Sequence, residues 1–200
     1  KQYRGVAMHP EVDAAVEDIV NESISIANDG ATVSVNMDNV KVSDKIKKNI
    51  TEEFQNICVM LRFNELGHDI FRRWYVDGRI YHHLVVNEAN MKMGIQDIRP
   101  IDATKIRKVK EIKKKKDPIT GAELIEKVDE HFIYQEKPGQ TKQGVKLTTD
   151  AVSYVTSGLL DQDRRRVISY LQKALKPLNQ LRMMIRRICI QQSTSMKEYS

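Results

Sequence analysis

Gly67-His68-Asp69-Ile70-Phe71-Arg72-Arg73-Trp74-Tyr75-Val76-Asp77-Gly78-Arg79-Ile80-Tyr81-His82-His83-Leu84-Val85-Val86 changes its hydrophobic period midway, from helical to strand-like. It gathers the only tryptophan, two tyrosines and a phenylalanine around the Asp77-Gly78 pair. Ile70, Phe71 and Trp74 recur at helical spacing, whereas Ile80 and the run Leu84, Val85, Val86 suit a half-buried strand. Asp-Gly is turn chemistry, so the segment reads as a helix handing over to a strand. Taken alone it is core architecture and carries no reactive group.

Working outward, Pro10-Glu11 opens a first helix, with proline near the first position and acids where the helix dipole favours them. Val12, Ala15, Val16, Ile19, Val20 and Ile24 form its apolar stripe, and it is expected to end around Ala27. Residues 32–36 alternate in strand fashion. Ser43-Asp44 caps a second helix whose face carries Ile46, Ile50, Phe54, Ile57 and Leu61. A shorter helix over 65–75 leads into the opening stretch's strand.

From 79 to 157 the pattern is β-rich. Strands are predicted over 79–86, 95–99, 106–112, 127–135, 145–147 and 152–156, the first two as a hairpin. Polar loops with proline and glycine are expected over 113–121 and 136–144. The last segment changes period: Val167, Leu171, Ala174, Leu175, Leu178, Leu181, Ile185 and Ile188 recur every three or four residues. That predicts one long helix from Asp163 to about Ile190, about 40 Å at ~1.5 Å per residue. Pro177 inside it predicts a kink. The fold class is α+β: a mixed helix and antiparallel-sheet domain followed by a long projecting C-terminal helix.

Two hundred residues suit one domain with an appendage. No apolar run reaches the length of a membrane span. The start, Lys1-Gln2-Tyr3-Arg4-Gly5-Val6, has neither methionine nor an apolar signal core, so the chain reads as a fragment entered midway. Cys58 and Cys189 sit far apart in apolar helical patterns and read as buried reduced thiols. A net charge of +6 is compatible with an acidic partner such as DNA.

Arg107, Lys108, Lys110, Lys113, Lys114, Lys115 and Lys116 make seven of ten consecutive residues basic. Such density can neutralise phosphates, but no aromatic in the run offers a stacking surface, and a strand end opening into a solvated loop is the commoner source of such a run; direct DNA contact or another acidic partner is the alternative. Arg164, Arg165 and Arg166 are expected at the start of the long helix, either paired with Asp161 and Asp163 or facing a duplex. His82 and His83 are adjacent on a strand, point to opposite faces and cannot share a metal. His9, His68 and His131 have no partners at ligand spacing. No nucleophile elbow or Walker-type phosphate loop occurs. The carboxylate pairs Asp161 with Asp163, and Glu52 with Glu53, fall on polar faces. No catalytic, cofactor-binding or metal-binding residue is assigned, and no enzyme is expected.

Trp74-Tyr75-Val76-Asp77-Gly78-Arg79-Ile80-Tyr81 closely resembles a segment of the head portal proteins of T-even-type tailed phages. Five further blocks follow in the family's order: residues 10–22, 67–72, 98–112, 154–159 and 169–184. Together they cover most of residues 3–184. The resemblance implies a ring, typically of twelve subunits, at one vertex of the phage head, through which double-stranded DNA is packaged and ejected. It implies major capsid and scaffold proteins, a terminase packaging motor and neck proteins as partners. Residues 1–160 would be the α/β wing domain and 161–184 the start of a stem helix. Residues 185–200 depart from the family pattern; truncation, internal deletion and frameshift stay open as the cause. The parts carrying clip, returning stem, tunnel loop and inner crown would lie outside this chain. Arg164, Arg165, Arg166, Lys173 and Lys176 are then better candidates for DNA-facing or inter-subunit contact than the 113–116 run, which would fall in a hairpin-like loop of the outer wing. The alternative is a free-standing basic nucleic-acid-binding module.

Overall fold

A computed structural model describes residues 2–25, 32–87, 89–90, 93–116, 123–136 and 144–198; of these, 113–116, 123–127 and 189–198 are described as backbone only. The order is α1 (Gln2–Ala7), α2 (Pro10–Ser23), α3 (Asp44–Met60), α4 (Phe63–Asp77), β1 (Arg79–Val86), β2 (Ile95–Ile101), β3 (Ile106–Lys116), β4 (Glu123–Tyr134), β5 (Val145–Leu147), β6 (Val152–Thr156) and α5 (Leu175–Glu198). Short 3-10 turns occupy Thr149–Ala151 and Tyr170–Ala174. The chain is α+β, with two antiparallel three-stranded sheets in the orders β2-β1-β6 and β3-β4-β5.

The opening stretch behaves as its pattern demands. α4 runs to Asp77, and Gly78 caps it in the left-handed region (φ 72°), its amide donating to the Trp74 carbonyl at 2.8 Å. Only glycine takes this φ without strain. Glycine is needed sterically too, since an added Cβ would lie 2.7 Å from the Ile168 carbonyl oxygen. β1 starts one residue later and pairs on both sides, His83 opposite Arg99 of β2 and Tyr81 opposite Tyr154 of β6.

Two cores result. Val6, Ala7, Val16, Val20, Val76, Leu171 and Leu178 bind α1, α2, α4 and the start of α5 into a helical layer. Tyr81, Ala103, Ile106, Phe132 and Val152 join the two sheets. There Tyr81 stacks on Tyr154 at 4.8 Å, and Phe132 meets both edge-on at 6.0 and 5.9 Å. Arg72 ties α4 to α2 through Asp13 and Glu17.

Four expectations need correction. Residues 33–36 form no strand; their alternation finds no partner ladder, and a strand without one has unsatisfied backbone groups. Ser43 holds the N-cap position of α3, but its hydroxyl makes no capping bond. No residue of α3 is buried, so its apolar face lies largely open, with Ile46 48 % exposed. The loop expected from 113 is strand as far as Lys116.

The fourth correction concerns the long helix, which begins at Leu175 and not Asp163. The Val167 position that suggests helical spacing pairs instead with Leu160 in an isolated antiparallel bridge. Ser169 then caps the 3-10 turn, its hydroxyl accepting from the Leu171 amide at 3.0 Å. Pro177 therefore falls in the first turn of α5, where a missing amide breaks no helical bond, and it supplies no reason for a kink. The first helix also ends earlier than the expected Ala27, at Ser23 with Ile24 as its C-cap; residues 117–121 of one expected loop and most of the loop expected over 136–144 lie outside the described residues.

Candidate functional site

Arg164, Arg165 and Arg166 sit at the tip of a hairpin-like excursion between β6 and the second 3-10 turn. Its base is closed by the Ser157 hydroxyl donating to the Ile168 carbonyl (2.7 Å) and by Ile168 N donating to Leu159 O (3.0 Å). Further out, Asp161 N donates to Arg166 O (2.9 Å) and Arg164 N to Asp161 O (2.7 Å). Arg164 has a left-handed backbone at φ 54°. These arginines are exposed, and among the described residues they form no ion pair with Asp161 or Asp163. The expectation of a helix N-terminus is thus replaced by a tight loop presenting three cations to solvent. Lys173, in the 3-10 turn, and Lys176, at the start of α5, are exposed on the body of the chain.

The basic run is strand β3. Successive side chains of a strand face opposite sides, so Arg107 is separated from Lys108 and Lys110. The latter two converge on Glu130 of β4, at 2.6 and 3.3 Å. Hydrogen bonds from Lys108, then Lys110, hold the Glu130 carboxyl below its usual range. A register shift between Lys113 and Lys114 interrupts the alternation further out. Among the described side chains the run is therefore split across two faces and partly neutralised. It does not form one phosphate-tracking surface.

A cleft of about 860 Å³ opens beside α4, lined by Arg4, Arg79, His83, Arg99 and Lys105 among others. Its acids are tied up. Arg4 bridges Asp77 at 2.6 Å and Asp102 at 2.9 Å, and Asp69 pairs with Arg73 at 2.7 Å. The hydrogen bond from Arg4 holds the Asp102 carboxyl well below the usual carboxylate range. Carboxylates held ionised by arginine accept hydrogen bonds and do not supply protons near neutral pH. The cleft is built as an ion-paired seam between α1, α4 and β2.

Of the histidines, His82 is buried and its pKa is lowered by loss of solvent, while His83 lines the cleft. His131 is missed by reading residue spacing along the chain. It is 4 % exposed, and it clusters with Glu111 and Asp129 across the β3–β4 ladder. Its Nδ1 is buried without a hydrogen-bond partner, a state that costs about 1–3 kcal/mol. The signal was the pairing register, which a single sequence does not carry.

The aromatic stretch forms the joint from which α5 departs. Trp74 and Tyr75 project from α4 onto Tyr170, with Trp74 tilted against it at 5.4 Å, and Phe71 backs both of them from the preceding turn. Among the described side chains Leu178 is the last buried on α5; beyond it Leu181, Ile185 and Ile188 continue the same face, and Ile188 is 54 % exposed. The Bacteriophage T4-like portal protein (Gp20) family matches residues 1–193. The chain belongs to that family. A portal protein of Vibrio phage KVP40 is 34 % identical over 92 % of this chain and 37 % of its own length. A portal protein of Salmonella phage ViI is 30 % identical over 90 % of this chain and 35 % of its own length. The chain thus spans just over a third of these relatives, and the family match runs nine residues past Met184. Among the described residues, no helix is long and apolar enough to cross a membrane.

Proposed function

We propose that this chain is the wing and the beginning of the stem of a phage head portal subunit, acting structurally and not as an enzyme. Residues 1–160 are the wing-like body, and 161–184 lead into the stem. The subunit joins a ring, with twelve copies as the family expectation, at the head vertex of the virion. That ring forms the channel for packaging and ejecting double-stranded DNA and the head-tail connection. Major capsid and scaffold proteins, the terminase motor and neck proteins are its partners, assembled in the host bacterial cell.

The observation that carries this reading is the apolar stripe of α5. Leu178, Leu181, Ile185 and Ile188 lie three or four residues apart on one face, yet only Leu178 is covered. A helix docked at its base and open along its apolar face needs a neighbour, and in a ring that neighbour is the next copy. Family membership supports the same conclusion. In this assembly Arg164, Arg165, Arg166, Lys173 and Lys176 are the candidates for contact with DNA or an adjacent subunit, and the β3 bases face outward from the wing. The work of translocation comes from the separate ATPase; the ring contributes geometry and charge.

Sedimentation velocity on the complete gene product tests this. Ile185→Glu with Ile188→Glu is expected to shift an assembled species to smaller ones with unchanged circular dichroism. An unchanged distribution would remove the stripe from the assembly interface. The rival, a free-standing basic module, predicts steeply salt-dependent duplex binding by the monomer that disappears when Lys113, Lys114, Lys115 and Lys116 are changed to Gln.

A further inference from the structure

We infer that Glu111, Asp129 and His131 form a binding site for a single divalent cation of the zinc class. The β3–β4 register places Glu111 directly opposite Asp129, and His131 lies two residues along the same strand and so on the same face. One ligand atom from each lies within 4.8 Å of the others.

Two features separate this trio from an ordinary exposed acidic cluster. Carboxylates facing each other across a ladder repel, so the pairing is unfavourable unless a cation sits between them. Next to them is the buried His131 imidazole: its Nε2 stands 3.7 Å from Glu111 Oε1, too far for a hydrogen bond between the two, and its Nδ1 has no hydrogen-bond partner among the described residues. A buried imidazole nitrogen with two carboxylate oxygens within 4.8 Å is a ligand set in waiting. Among the described residues the cation beside them is Lys146 of β5, whose Nζ is 3.7 Å from Asp129 Oδ2. Its side chain is largely exposed and free to swing away.

The donor set selects the ion. One imidazole with two carboxylates suits zinc, whereas magnesium and calcium require a larger, all-oxygen shell. Tetrahedral zinc with bonds of ~2.0–2.2 Å would draw the ligands to about 3.4 Å apart, a contraction within rotamer reach, with water in the fourth position. The ion would staple β3 to β4 in the middle of the hairpin arm, away from both hydrophobic cores.

Isothermal titration of the full chain with zinc chloride alone tests the site. One saturable equivalent is expected, weakened at least about tenfold by Glu111→Gln and by Asp129→Asn. Lys146→Met should tighten it by removing the competing cation. Because His131 is buried, His131→Gln is read only alongside the exposed Glu111→Gln, with circular dichroism confirming that each variant is folded. Absence of a saturable equivalent, affinity unchanged in the Glu111 and Asp129 variants, or magnesium binding as tightly as zinc would each overturn the assignment.

Discussion

Tyr170 stacks on Tyr75 with ring centroids 4.9 Å apart and planes 6° from parallel. This contact closes a chain separation of ninety-five residues and sets where α5 leaves the body. An aromatic pair contributes about 0.5–1.5 kcal/mol beyond the area it buries. The same seam holds fully buried Ser169, whose hydroxyl donates to the Tyr75 carbonyl at 3.1 Å and accepts from the Leu171 amide. Ser169→Ala leaves both groups unsatisfied and is expected to lower stability by about 1–2 kcal/mol in urea unfolding. A loss below experimental error would mean that the seam is not what positions α5.

Gly78→Ala is expected to be worse. The left-handed backbone alone costs an L-residue about 1–2 kcal/mol, and the new methyl meets the Ile168 carbonyl, which is backbone and cannot step aside. The midpoint of thermal unfolding should fall clearly further than for Ser169→Ala. Equal or greater stability would contradict the close passage of the 157–168 excursion over the start of β1.

The acid limb of stability depends on Asp102. Its folded pKa lies below the unfolded value of about 3.9. The contribution of the Arg4 bridge is therefore complete above that value and lost as pH falls through the lower, folded one. The bridge is over a third exposed on both sides, so solvent screening keeps its share small. Asp102→Asn is expected to lower stability at pH 7 and to lose less on going to pH 3 than the parent chain. Identical pH slopes in chemical unfolding would remove Arg4 and Asp102 from the acid response.

Where the chain itself encodes periodicity and turn chemistry, its reading holds. The strands at Arg79–Val86, Val145–Leu147 and Val152–Thr156 have the bounds their alternation predicts. α4 extends beyond its predicted core because Gly78, a local signal, ends it. Long-range competition is less legible. Val167 fits a helical stripe, yet it bridges to Leu160, and Ser169 spends its hydroxyl on a cap and on α4. Short α1 has too few residues to show a period, although Val6 and Ala7 reach the core. The end of the basic run, 113–116, reads as a loop from composition, but pairing with β4 keeps it strand as far as Lys116. Glu111, Asp129 and His131 meet only through that register.

Negative-stain imaging of the complete gene product shows whether the chain builds a ring. Closed rings with a central channel are expected, the wing-like bodies arranged around the outside and the α5 helices directed toward the axis. Particles that stay monomeric at every concentration and salt examined would contradict it.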